Sequence, residues 1–107
     1  MTSTTKSAND DLLIACRKQL DGLFAAYPNP GLNKRAAKAL RLLGACEKTL
    51  AGKPESWTAG VIYAVSNLDR QACGVPGLLN SEFSGFFGVS MEAIRRRAAD
   101  VVSQISM

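Results

Sequence analysis

The fold is decided by residues 54–68, which read Pro-Glu-Ser-Trp-Thr-Ala-Gly-Val-Ile-Tyr-Ala-Val-Ser-Asn-Leu. Pro54 suits the first turn of a helix, where its missing amide is not needed, and Glu55 complements the positive helix end. The inward stripe consists of Trp57, Val61, Ala64, Val65 and Leu68, and Ile62 and Tyr63 widen it. A helix that is apolar over most of its girth is typical of the centre of a bundle. We therefore predict that this third helix is central.

Two amphipathic helices are predicted before it. Apolar residues recur at three- and four-residue steps from Leu12 to Tyr27, after Asn9 or Asp10 as a cap. Tyr-Pro-Asn-Pro-Gly, residues 27–31, ends this helix because prolines lack amide donors. A second helix is predicted from about Asn33 to Leu50. Residues 1–8, rich in Thr and Ser, are predicted to be a flexible tail, and residues 9–107 a single helical domain.

A second informative stretch, residues 79–97, reads Leu-Asn-Ser-Glu-Phe-Ser-Gly-Phe-Phe-Gly-Val-Ser-Met-Glu-Ala-Ile-Arg-Arg-Arg. Asn80 or Ser81 can cap a short helix, and Gly88 can enter the left-handed conformation of a sharp turn. Ser90 can then cap a last helix that continues to about Ile105. Four apolar residues in this stretch have the spacing of buried anchors: Phe83, Phe87, Val89 and Ile94. This layout predicts a helix-turn-helix at residues 79–97.

The rest of the last helix carries polar and basic side chains that suit DNA. Arginine can donate two hydrogen bonds to guanine, and basic side chains also hold phosphates. The predicted DNA-binding residues are Ser90, Met91, Glu92, Arg95, Arg96 and Arg97. Phosphate contacts are expected either from Arg97, which stands where many such motifs carry an apolar residue, or from basic residues of the second helix.

Basic residues also follow one face of the second helix, namely Lys34, Lys38 and Arg41. This stripe has two interpretations. It is either a solvated face, or a set of phosphate contacts beside the helix-turn-helix. The second interpretation requires the fold to bring the stripe and the last helix together.

Two resemblances follow from these residues. Glu82-Phe-Ser84, Phe86-Phe-Gly-Val-Ser90 and Ala93-Ile-Arg95 resemble the common helix-turn-helix pattern. Residues 54–105 are similar to a cyclin-box repeat of the transcription factor IIB type, and to small bacterial domains of unknown function with a related segment. The resemblance implies an all-α fold of five helices around the third, and DNA as a partner. With one repeat and no zinc ribbon, the polymerase-recruiting role of the transcription factors does not carry over.

Composition narrows the function classes. The net charge of +4 and the isoelectric point near 9.2 favour an acidic partner such as nucleic acid. No apolar run is long enough to span a membrane, and the start of the chain does not read as a signal peptide. The three cysteines, without any histidine, form no zinc pattern and suit a reducing cytoplasm. We expect no metal, no cofactor and no enzymatic activity.

These observations predict a compact all-α bundle of about five helices that binds duplex DNA, as a transcriptional regulator would. The alternative is a cyclin-box-like protein-interaction module without DNA binding, since exposed Met91 and Phe86 beside arginines would also suit a protein surface. Because a single recognition helix usually binds DNA weakly, a DNA-binding protein of this size is expected to dimerise or to join a larger complex.

Overall fold

The computed structural model of the protein describes residues 9–45, 50–68 and 75–105. These residues form five α-helices and no strand: α1 (Asp10–Ala26), α2 (Pro30–Gly44), α3 (Pro54–Leu68), α4 (Asn80–Phe87) and α5 (Met91–Ile105). The predicted all-α bundle of five helices is confirmed. The predicted tail, residues 1–8, lies outside the described residues, as do Cys46 and Cys73.

Helix α3 lies at the centre of the bundle. Every residue from Trp57 to Ser66 is buried, on all sides of the helix. Helices α1, α2, α4 and α5 all contact it, and α5 makes the most extensive contact. The prediction of a central third helix is confirmed, and its physical reason is the near absence of polar side chains over these turns.

The absence of a side chain at Gly60 allows α3 and α5 to approach each other closely. A Cβ atom at this position would lie 3.0 Å from the Cβ of Arg97 and 3.1 Å from the Arg97 carbonyl carbon. Both distances are shorter than ordinary van der Waals contact between carbon atoms. The separation of α3 and α5 is therefore set by glycine at this crossing.

Buried polar groups connect α1 to the start of α3. The hydroxyl of Thr58 lies 2.8 Å from Gln19 Oε1 and 2.9 Å from the carbonyl oxygen of Pro54. The amide of Gln19 in turn donates to Glu55 at 3.2 Å. A buried hydroxyl is costly unless it is hydrogen-bonded, so these bonds fix the position of α1 along α3.

Cys16 belongs to the same contact between α1 and α3. Its Sγ atom donates to the carbonyl oxygen of Pro54 at 3.5 Å, and the side chain is fully buried. Burial raises the pKa of the Cys16 thiol. The negative charge of Glu55 raises this pKa further, whereas a hydrogen bond with Thr58 lowers it, and the effect of burial is the largest. Cys16 therefore behaves as a small apolar core residue with an unreactive thiol.

The predicted bounds of α2 differ from the observed ones at both ends. Pro30 occupies the first turn of the helix, and the side chain of Asn29 accepts a hydrogen bond from the Leu32 amide at 3.2 Å. The prolines, which we interpreted only as a break, thus also begin the next helix three residues earlier than expected. The helix ends at Gly44, short of Leu50, and residues 46–49 lie outside the described part.

The Gly60 crossing can be tested with a pair of glycine replacements. We expect Gly60→Ala to lower the free energy of unfolding by roughly 1–2 kcal/mol, because the added methyl group forces α5 away from α3. Gly22→Ala in α1 is the matched control: nothing lies within 4 Å of its added Cβ, so it should gain up to about 1 kcal/mol of helix propensity. Urea unfolding followed by circular dichroism measures both. Equal stabilisation by both replacements would contradict the close approach.

Candidate nucleic-acid interface

Helices α4 and α5 are joined by a tight turn that closes on itself through hydrogen bonds. Gly88 adopts the left-handed conformation with φ of 66°, as predicted. The amide of Val89 donates to the carbonyl oxygen of Ser84 at 3.2 Å, and the Ser84 hydroxyl donates back to the carbonyl oxygen of Val89. These bonds satisfy one carbonyl group near the end of α4 and one in the turn, and they fix the direction in which the chain enters α5.

The start of α4 differs from the prediction. Its cap residue is Leu79, whose amide donates to the carboxylate of Glu82 at 2.9 Å. The prediction that Asn80 or Ser81 caps the helix was wrong, because the carboxylate three residues into the helix reaches back to the cap amide instead.

The predicted anchors hold this unit against the rest of the bundle. Phe83, Phe87 and Ile94 are buried, and Val89 is partly buried against the core. The rings of Phe83 and Phe87 pack edge to face with centroids 5.4 Å apart, and Phe83 also stacks on Tyr63 of α3. The prediction of buried anchors is confirmed, and α4 is thereby fixed to the central helix.

One face of α5 is left open to solvent. Ser90 caps the helix, since its hydroxyl accepts a hydrogen bond from the Ala93 amide at 3.2 Å. The exposed positions of α5 recur at helical spacing along one stripe: Glu92, Arg95, Arg96, Ala99 and Ser103. We call this stripe the outer face of α5. Met91, which was predicted to be exposed on it, is half-buried and packs against the core instead.

Charges on the outer face interact only weakly with each other. Arg96 Nη2 lies 3.7 Å from Glu92 Oε2, one turn away, and the two side chains are 72% and 85% exposed. Such a solvated ion pair contributes little to stability and is easily broken. Arg95 is exposed without an ion pair to any carboxylate in the described part of the chain. Both guanidinium groups can therefore turn towards a partner at small cost.

Arg97 lies in a different environment from its two neighbours. Its guanidinium carbon sits 4.4 Å from the ring centroid of Trp57, and Nη1 lies 3.3 Å from a carboxylate oxygen of Asp100. The guanidinium also touches Gly52, in the segment that leads into α3. Arg97 thus packs α5 onto α3 through a cation–π contact, and the structure places it away from the outer face of α5.

Trp57 is also held by the chain that precedes α3. Its indole nitrogen donates to the carbonyl oxygen of Ala51 at 2.9 Å, and the side chain is only 3% exposed. The ring is therefore covered on one side by Arg97 and has its polar atom satisfied.

The basic residues of α2 line a groove between α1 and α2. These two helices form an antiparallel hairpin, with Gly44 of α2 against Leu13 of α1. The groove has a volume of about 570 Å³ and contains Lys34, Lys38 and Arg41 together with Arg17 and Arg35. No residue of α5 lines it. The fold thus brings the three predicted phosphate contacts together with each other, in a groove to whose lining α5 contributes no residue.

The basic groove continues into an apolar one. A second groove of about 460 Å³ shares Arg17, Ala37 and Arg41 with the first and adds Leu13, Ile14 and Leu40. We call the two together the α1–α2 groove. The basic stripe is visible in the sequence, but the contribution of Arg17 and the apolar half are not, because both depend on how α1 pairs with α2.

No family model matches this sequence, and comparisons with curated proteins and with solved structures give no significant match. The resemblance to a cyclin-box repeat and to a helix-turn-helix therefore stays a prediction. Within the described residues, no helix is both long and apolar enough to cross a membrane. The same part of the chain holds no cluster of three or more side chains able to bind a metal ion.

The role of Arg97 in packing can be separated from a role in binding. We expect Arg97→Ala to lower the free energy of unfolding by about 1 kcal/mol, because the cation–π contact is lost. Trp57 is the single tryptophan, so its fluorescence emission should shift to longer wavelength as water reaches the ring. Arg95→Ala, two residues earlier in α5, is the control and should change neither quantity. Identical behaviour of the two variants would contradict the assignment.

Proposed function

We propose that this protein binds duplex DNA through α4 and α5, with α5 as the recognition helix. The observation that carries the proposal is the outer face of α5, where Arg95 and Arg96 lie exposed just after the glycine turn. The rest of the helix is packed onto α3, so the two guanidinium groups project from a rigid support. Rigid presentation matters because side chains that are already positioned lose less entropy on binding.

The chemistry of the outer face suits base edges in a major groove. Arg95 and Arg96 can each donate two hydrogen bonds to the N7 and O6 atoms of guanine. Glu92, one turn earlier, can accept from the amino group of cytosine. Because the ion pair of Arg96 and Glu92 is long and solvated, DNA can replace it without a large loss. The small side chains of Ala99 and Ser103 further along the same face leave room for the wall of the groove.

Phosphate contacts would come from groups near the start of each helix. The first turn of α5 follows Ser90, and the first turn of α4 includes exposed Ser81. Amides in a first helical turn have no partner within the helix and can hold phosphate oxygens. Arg97 is left out of this set, because its guanidinium covers Trp57. Lys34, Lys38 and Arg41 are also left out, because their groove is formed by α1 and α2.

The number and order of the helices agree with those that the resemblance implies. Five helices around the third, followed by a glycine turn and a basic last helix, are what a cyclin-box-like DNA-binding domain would have. A role as a transcriptional regulator follows from the same resemblance and depends on DNA binding. A dimer or a larger complex would then supply the affinity that one recognition helix lacks.

The proposal predicts a salt-dependent affinity for DNA that depends on the outer face. Random duplex DNA should bind the protein at about 50 mM salt, and the affinity should fall by orders of magnitude at about 200 mM, because counterions are released. In fluorescence-anisotropy titrations, the double variant Arg95→Ala with Arg96→Ala should bind at least tenfold more weakly. It should also show a salt slope that is smaller by about one or two.

The matched control for this experiment removes two positive charges elsewhere. Lys18→Ala with Lys53→Ala lowers the net charge by the same amount, and both lysines are exposed outside α5. This variant should retain most of the affinity. Equal losses in the two double variants would indicate only general attraction to the polyanion, and an unchanged affinity in the arginine variant would contradict the proposal.

One observation favours the alternative, a protein-interaction module. Phe86 is 43% exposed and Tyr27 is 38% exposed, and their rings pack edge to face with centroids 6.3 Å apart. Exposed aromatic pairs are enriched at the centres of protein interfaces. The absence of DNA binding at the lower salt concentration would favour this second function.

A further inference from the structure

The α1–α2 groove combines two kinds of surface that neither the outer face of α5 nor the exposed aromatic pair accounts for. One half is lined by basic side chains, Arg17, Lys34, Arg35, Lys38 and Arg41, and by no acidic one. The other half is mainly apolar, with Leu13, Ile14, Ala37 and Leu40 in its lining. Arg17 and Arg41 belong to both halves, so the two form one continuous surface.

Part of the charge of the basic half is not neutralised within the described part of the chain. Lys34, Lys38 and Arg41 are exposed and have no carboxylate of the described residues within ion-pair distance. Arg17 shares its charge with Asp21, at 3.3 Å, in an exposed pair that costs little to break. The groove therefore presents an excess of positive charge to a partner.

The apolar half is open to solvent at one large side chain. Ile14 is 56% exposed, which leaves most of an aliphatic side chain in water beside the half-buried Leu13. Asp10 lies at the far end of this half. Covering such a surface is favourable in proportion to the apolar area removed from water.

We propose that the α1–α2 groove binds an acidic amphipathic segment of a partner protein. Carboxylates at one end of the segment would pair with Lys34, Lys38 and Arg41, and aliphatic or aromatic side chains at the other end would cover Ile14 and Leu13. Helix α2 has 15 residues, and at about 1.5 Å per residue it offers a track of roughly 22 Å, which is enough for a helix of four turns. The segment binds by the helix-in-groove mode.

The combination of charge and apolar surface favours a peptide over nucleic acid. A phosphate backbone would satisfy the basic half, but it has no apolar groups with which to cover Ile14. A helix that presents carboxylates towards one end and apolar side chains towards the other satisfies both halves of the groove at once. This surface is separate from the outer face of α5, so the inference does not depend on DNA binding.

Peptide display tests the proposal with a defined probe. A phage-displayed library of random peptides of about 14 residues, matched to the length of α2, is selected against the full chain. Selection should enrich peptides that carry Asp or Glu towards one end and Leu, Ile or Phe at helical spacing towards the other. A labelled consensus peptide is then titrated by fluorescence anisotropy, and its binding site is mapped by amide chemical-shift changes in two-dimensional NMR spectra.

Variants of each half of the groove decide the outcome. Lys38→Glu with Arg41→Glu should weaken the consensus peptide at least tenfold, and Ile14→Ser should weaken it severalfold. Lys18→Glu with Lys53→Glu makes the same change in net charge outside the groove and should leave the affinity within about twofold. Because all five side chains are exposed, the variants should fold, and their circular-dichroism spectra check this.

Three results would overturn the proposal. The first is a selection that enriches no acidic amphipathic sequence. The second is a consensus peptide whose affinity is the same for the groove variants as for the control, or whose shift changes fall outside α1 and α2. The third is displacement of the peptide by duplex DNA in the wild type and equally in Arg95→Ala with Arg96→Ala, which would assign the groove to nucleic acid. Loss of DNA binding alone in that arginine variant tests the proposed function and leaves the peptide result unaffected.

Discussion

The burial of α3 on all sides is the constraint on which the rest of the structure depends. A helix with no polar face has to be enclosed, and four neighbours enclose this one. Each neighbour therefore buries one stripe and keeps the opposite one free. The bundle can in this way stay compact around a single core and still present two chemically different outer surfaces, the outer face of α5 and the α1–α2 groove.

The three consecutive arginines in α5 lie in different environments and have different roles. Successive side chains are about 100° apart around the axis, so three consecutive residues span about 200° and cannot all lie on one face. Arg95 and Arg96 point to solvent, whereas Arg97 lies between α5 and the indole of Trp57. Arg97 contacts the face of the Trp57 ring and forms an ion pair with Asp100, and these contacts replace part of its hydration. The charge of Arg97 thus helps to attach α5 to α3, while Arg95 and Arg96 remain available to a partner.

Much of the fold could be predicted because the signals were local. Periodicity located all five helices, and the glycine turn and the Ser90 cap were readable from short-range rules. The errors also have local reasons: Pro30 both ends one segment and begins another, and Glu82 took the capping role expected of Asn80 or Ser81. In the first case one proline has two roles, and in the second a carboxylate three residues into the helix competes with the side chains at its start; sequence alone does not rank these possibilities.

The candidate surfaces were less predictable than the helices. Exposure of Arg95 and Arg96 follows from the pattern within α5, but burial of Met91 and Arg97 depends on what α3 presents to that helix. The basic stripe of α2 was visible in the sequence, whereas its pairing with Arg17 and the apolar half beside Ile14 arise only when α1 folds against α2. The periodic pattern of a helix shows which face is buried, but it does not show which helix packs against that face.

The side chain of Asn9 has a consequence for the order in which the bundle forms. Its Oδ1 atom accepts a hydrogen bond from the amide of Leu50 at 2.9 Å, and the side chain is almost fully buried. The hairpin of α1 and α2 can assemble from neighbouring residues, but this bond closes a loop of about forty residues and has to wait until the segment before α3 is present. During synthesis, α1 can therefore form its helical backbone before the side chain of Asn9, at its start, is fixed. That side chain gains this hydrogen bond only when the segment before α3 has been added.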